Sequence, residues 1–189
     1  MTDLPMLATP RQPTRGSQST AIEQSRAVAE VQGALLVAKR FPRDKQRALA
    51  EMRESCNIKA LAELAFFKFS RGGSAVTGES IHLARELARC WGNINYGVKE
   101  LDRAEDSSEM LAFAHDLETN ARSETAFIVP HRRDKRGGSE AIVDMRDIYE
   151  NNANMGARRL RQCIFSVLPP WFVEELSLIH ISEPTRQAE

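Results

Sequence analysis

The chain has 189 residues, 42% of them apolar and 28% charged, with zero formal net charge. That length suits one domain with enough apolar material for a core. The neutral balance excludes a uniformly basic nucleic-acid coat, so any cationic surface must come from local clustering.

Three cysteines, Cys56, Cys90 and Cys163, are odd in number and far apart. They read as buried free thiols in a reducing compartment. No paired Cys/His spacing suits zinc. No apolar run reaches the length of a transmembrane helix, and the N-terminus lacks a basic segment followed by an apolar one. The expectation is a cytoplasmic protein with no membrane role.

Residues 1–17 carry Pro5, Pro10, Pro13 and Gly16 among polar side chains and read as a disordered leader. From about Ser19 the pattern turns helical, with Ile22, Val28, Val31, Leu35 and Phe41 spaced mostly by threes and fours or their sums. Pro42 stops that helix, because proline disfavours helical backbone in the residue before it. Asp44 is placed to cap a second helix running to about Ser55. Ala60–Phe69 is a short apolar stretch, helical or extended. Ser70–Ser74 is a glycine turn. Thr77 precedes a third helix with Ile81, Ala84, Leu87, Ala88 and Trp91 on one face, and Gly92 stands where a C-terminal glycine cap belongs.

Three strand-like runs follow, marked by Ile94, Tyr96 and Val98, by Leu111, Phe113 and His115, and by Phe127 and Val129. Asp102–Ser108 and Glu118–Arg122 are short polar connections suited to hairpins. His131–Ser139 reads as a basic, glycine-containing loop. Asp144 or Asp147 starts a final long helix with Tyr149, Ala153, Gly156, Leu160, Ile164 and Val167 on its inner face, and Pro169-Pro170 ends it. The expected fold class is α+β: N-terminal helices, then a helix, a three-stranded antiparallel meander and a long helix. Helices on one face of the meander bury these apolar stripes economically.

Catalytic patterns are sparse. Arg71-Gly72-Gly73 lacks the GK[ST] ending of a phosphate-binding lysine loop, and no GxSxG elbow occurs. His82, His115 and His131 are scattered, and His115 reads as a structural or surface residue. Glu109, Asp116 and Glu118 could supply carboxylates to a metal-dependent nuclease. Basic clustering is more informative. His131–Gly138 contains Arg132, Arg133, Lys135 and Arg136. Arg158, Arg159 and Arg161 lie on the final helix, with Arg158 and Arg161 three apart on one face. Lys68 and Arg71 flank the Gly72-Gly73 turn. Guanidinium groups so placed could track a phosphate backbone, and the glycine pairs would let a strand approach closely. Phe66, Phe67, Phe69 and Tyr96 are either core or base-stacking residues.

Five stretches carry a resemblance to phage and prophage recombination proteins. They are KRFPRD (Lys39–Asp44), SRGGSAVTGESIHLARELARCWGNINYG (Ser70–Gly97), AFAHDLETNAR (Ala112–Arg122), VPHRRD (Val129–Asp134) and DIYENNANMGARRLRQCIFSVLP (Asp147–Pro169). The order of elements also resembles the core of the RecT, Red-beta, Erf and Sak single-strand annealing proteins. The resemblance implies a core over residues 18–175 that binds and anneals single-stranded DNA in homologous recombination. It implies assembly into a ring or filament, no ATP, no cofactor beyond magnesium carried by the DNA, and a bacterial host. A partner exonuclease and a single-strand binding protein are implied alongside. The residues it points to are Arg158, Arg161, Arg159, Arg132, Arg133, Lys135, Arg136, Arg71, Gly72 and Gly73, the helix arginines first. The other two readings are the metal-dependent nuclease and a phage accessory or structural protein with no nucleic-acid role.

The last stretch is of another kind. Leu176–Arg186, LSLIHISEPTR, back-translates within the genetic code to a sequence resembling the transposase mosaic end and primer site of tagmented sequencing libraries. On that resemblance residues 176–189 are adapter-derived and the chain is a metagenomic fragment, truncated after Glu175. His180 then carries no functional weight.

Overall fold

The structure is a computed structural model and describes residues 16–58, 61, 64–71, 74–135 and 138–175. Residues 1–15 of the expected leader and the adapter-like 176–189 lie outside the described residues. The chain divides into two compact units, Met1–Arg40 and Phe41–Glu189. In the first, helix α1 spans Gly16–Arg40 and stops just ahead of Pro42 as expected. It leaves Ile22, Val28, Val31, Leu36 and Val37 exposed.

The second unit is α+β. Helix α2 (Lys45–Cys56) starts where Asp44 caps it, the carboxylate accepting from the Gln46 and Arg47 N–H groups at 2.9 and 3.2 Å. Strands β1 (Phe66–Arg71) and β2 (Ser74–Glu79) then form an antiparallel hairpin. Helix α3 follows at Ile81–Trp91, with Ser80 accepting from the Leu83 N–H at 3.2 Å. The helix thus starts at Ile81, and Thr77, expected just ahead of it, belongs to the preceding strand. Thr77 lies in β2 opposite Lys68, because Phe66, Phe67 and Phe69 in β1 and Val76 and Thr77 in β2 are strand formers. Gly92 ends α3 with φ 74°, a backbone that a side chain would strain.

Strands β3 (Ile94–Arg103), β4 (Ser107–Asp116) and β5 (Arg122–Pro130) form an antiparallel sheet in the order β3-β4-β5. Ser108, Met110, Ala112, Ala114 and Asp116 alternate onto the buried face of β4. Helix α4 (Met145–Val167), capped by Asp144, packs chiefly on β4 and also on β5, β3 and α3, while α2 packs on α3. After Pro169 a helical segment at 170–175 puts Phe172 into the core beside Trp91, with ring centroids 4.7 Å apart. Cys56, Cys90 and Cys163 are all buried.

Two expectations change here. The basic loop His131–Ser139 is a second hairpin, β6 (Arg132–Lys135) paired with β7 (Gly138–Ala141). Its rungs set Arg133 opposite Glu140 and Arg132 opposite Ala141, and opposite charges across a rung favour pairing. The inner face of α4 is also shifted by one residue at its start. Ile148 and Asn152 are buried, whereas Tyr149 is 55% exposed and Ala153 is exposed. Helical spacing allows either register. The aliphatic Ile148 takes the inward place, and Tyr149 keeps its ring outside, 4.6 Å under the Arg103 guanidinium.

Two close contacts hold this unit together. A Cβ built on Gly156 would lie 2.9 Å from Val98 Cγ1, so glycine is what lets α4 lie directly on β3. At the C-terminal end of β4, the Arg43 side chain is 5% exposed and is bound by Asp116, itself 2% exposed, and by Glu118. Arg43 Nη1 donates to Asp116 at 2.9 Å, Arg43 Nη2 donates to the other carboxylate oxygen, and Arg43 Nε donates to Glu118 at 3.0 Å. The guanidinium also stacks 4.6 Å from the Trp91 ring centroid. The segment before α2 is thereby pinned to the end of the sheet. Burial acts to raise the Glu118 carboxyl, but hydrogen bonds from Asn93 and from Arg43 outweigh it and hold the group below the ordinary carboxylate range.

Gly156→Ala is expected to cost about 1–3 kcal/mol in urea unfolding, since the stiff Val98 side chain cannot step aside. Adding Val98→Ala should recover part of that loss. Arg43→Ala leaves two carboxylates without their cation and should cost about 3–5 kcal/mol. The depressed Glu118 group contributes stability that is fully present above the ordinary carboxylate range and is lost as pH falls through its lower folded value. Glu118→Gln should therefore flatten part of the acid side of a Tm-against-pH profile.

Candidate nucleic-acid interface

The candidate interface forms where β5 hands over to the β6–β7 hairpin. Pro130 closes β5, and His131 turns the chain. The His131 N–H donates to the Asp106 carbonyl at 2.7 Å, and its own carbonyl accepts from Ile142 N–H at 2.8 Å. Both ends of the hairpin are thus tied to one buried residue, His131, which is 3% exposed. Arg132 and Arg133, just beyond it, are both exposed.

Helix α4 passes beside this root. Asn151, Met155 and Arg158 follow one another at helical spacing along one face. Asn151 Nδ2 donates to the Pro130 carbonyl at 3.2 Å, which ties the helix to the end of β5. Between helix and hairpin lies a cleft of about 400 Å³. Val129, Pro130 and Met155 supply its apolar lining, and Asn151 and Ser139 supply neutral polar groups. Arg132, Arg133 and Arg158 complete the wall. Three arginines from two elements therefore line one concave surface. Arg133 also meets Asp147 at 3.7 Å, with both side chains more than half exposed. An ion pair that open is weak and leaves Arg133 able to exchange partners.

The other helix arginines go elsewhere. Arg161 Nη1 donates to the Glu79 carbonyl at 2.8 Å, at the base of the β1–β2 hairpin. Arg158 and Arg161 stand about 60° apart around the helix, yet Arg158 lines the cleft whereas Arg161 reaches the Glu79 carbonyl. Arg159 is exposed and donates to Gln162 at 3.4 Å. Arg71 ends β1 opposite Ser74, and Lys135 ends β6 opposite Gly138. Gly72, Gly73 and Arg136 lie outside the described residues.

The carboxylates considered for metal chemistry are not grouped. Asp116 and Glu118 both accept from Arg43, whereas Glu109 is exposed near the opposite end of β4. Among the described residues no group of three or more His, Cys, Asp or Glu side chains could hold a metal ion. Tyr96 is half-buried against the core, and Phe66 is 42% exposed at the start of β1. Asn151 and Met155 were missed as lining residues, although their spacing from Arg158 was a usable signal. No helix among the described residues is long and apolar enough to cross a membrane.

No family model, curated protein or solved structure matches the chain.

Proposed function

We propose that the chain binds and anneals single-stranded DNA in phage-type homologous recombination, without ATP. The observation that carries this reading is the cleft shared by Arg132, Arg133 and Arg158. Guanidinium forks bind phosphate oxygens bidentately, and a concave surface lined by three arginines suits a bending single strand. The apolar lining of Met155 and Pro130 offers contact to a sugar or base without reading sequence. Arg161 and the β1–β2 hairpin extend the path along the outer ridge of α4. Phosphates held on one side leave base edges free to meet a complementary strand, and base pairing supplies the driving force. The protein works as a ring or filament, with a partner exonuclease exposing the strand and a single-strand binding protein beside it. Magnesium enters only with the DNA.

Anisotropy with a labelled oligo-dT tests the binding step. Affinity should fall steeply with salt, and Arg132→Ala, Arg133→Ala and Arg158→Ala should each reduce the log–log salt slope by about 0.7. Complementary labelled strands should pair faster with the protein present and no nucleotide added. No binding at low salt, or a triple variant with an unchanged slope, overturns the proposal.

A further inference from the structure

At the root of the basic hairpin lies a buried polar cluster that the phosphate contacts do not use. Ser108 is fully buried and Asn152 is 4% exposed. Three groups surround Ser108 Oγ. It donates to Glu100 Oε1 at 2.8 Å, accepts from Asn152 Nδ2 at 2.9 Å and lies 2.9 Å from His131 Nε2. The other ring nitrogen, His131 Nδ1, lies 3.2 Å from the Glu105 carbonyl.

Counting protons decides the state of the ring. A serine hydroxyl has one proton and two acceptor sites. The ionised Glu100 carboxylate can only accept, so the hydroxyl proton goes there. Arg103 keeps Glu100 ionised, since its hydrogen bonds at 2.7 and 2.6 Å hold that carboxyl below the ordinary range. His131 Nε2 must then donate to Ser108. The Glu105 carbonyl can also only accept, so Nδ1 must donate as well. Both nitrogens donate together only in the imidazolium form. Asn152 Oδ1, buried with no hydrogen-bond partner, leaves the cluster short of donors already. A neutral ring would leave one more contact unmade.

We propose that His131 is a proton-dependent positioning residue: as an imidazolium it locks the root of β6–β7 and sets Arg132 and Arg133 beside Arg158, and on losing its proton it releases that root. The switch stands on the cluster itself, and its effect on DNA rests on the annealing function proposed above. Charged groups surround it on several elements. On β3 they are Glu100 and its partner Arg103, and in the β3–β4 turn Glu105 and Asp106. On β6 they are Arg132 and Arg133, and on α4 Asp147, paired with Arg133. The Asp106 carboxylate itself accepts from the Ser107 hydroxyl at 3.0 Å. The range to probe is the one over which histidine side chains in general change charge, about pH 5 to about pH 8.

Two readouts separate the switch from the DNA reading. The first is NMR on the DNA-free full chain: ring nitrogens of His131 and amides of β6 and β7 across that pH range. Both nitrogens should be protonated at the acid end, and the hairpin amides should move with the ring's midpoint. The second is oligo-dT affinity over the same range. It should fall roughly tenfold as pH rises, with most of that fall lost in His131→Gln. If His131→Gln does not fold, Ser108→Ala removes the relay and should uncouple the hairpin amides from the ring. A ring neutral throughout, hairpin amides that ignore its titration, or His131→Gln with the full pH dependence overturns the switch. Coupled ring and amide titration with no DNA binding at any pH supports the switch and overturns the annealing function.

Discussion

Ser108 Oγ joins three parts of the fold at one atom: β3 through Glu100, α4 through Asn152, and the hairpin root through His131. The cleft depends on this junction. Arg158 is placed by a long helix, whereas Arg132 and Arg133 ride on strands of four residues each. A two-stranded hairpin that short is not stable alone in water. Its position relative to α4 comes from its anchored end, where His131 makes backbone and side-chain hydrogen bonds in a space closed to solvent. Buried polar groups are costly when unpaired, so such a junction favours one arrangement strongly over its neighbours.

The rest of the unit keeps α4 where that junction needs it. Gly156 allows van der Waals contact with Val98, and Leu160, Cys163 and Ile164 continue the helix across the sheet. Arg43 performs a comparable task at the far end, where it ties the segment before α2 to Asp116 and Glu118 under Trp91. A rigid helix over a three-stranded sheet positions charge better than a loop does. The proposed function uses this rigidity: it needs no reacting side chain, only a fixed line of guanidinium groups.

Much of the fold was legible in the sequence because local signals agreed with tertiary packing. Asp44, Gly92 and Asp144 punctuate helices as their chemistry dictates, and the alternation through Ile94–Val129 marks the three-stranded meander. The failures have physical causes. The β1–β2 and β6–β7 strands are short, and the glycine-containing sequence between them reads equally well as a loop, so pairing was hidden. Tyr149 and Ile148 compete for one inward position, and periodicity alone cannot rank them. The arginines of the candidate site were visible as clusters. The different partners of Arg158 and Arg161, and the lining by Asn151 and Met155, depend on where β5 and β2 end in space. The buried role of His131 was invisible, because Ser108, Asn152 and Glu100 are distant from it in the sequence.

The central claim is that the cleft between α4 and the β6–β7 hairpin is where a single strand of DNA lies. Titrating the isotopically labelled full chain with a short oligo-dT, and mapping the backbone and guanidinium resonances that move, tests this directly. The account predicts the largest shifts at Arg132, Arg133, Asn151, Met155 and Arg158, with smaller ones toward Arg161. Saturable shifts confined to the opposite sheet face, around Phe113 and Ile128, with the arginine cleft silent, would contradict it.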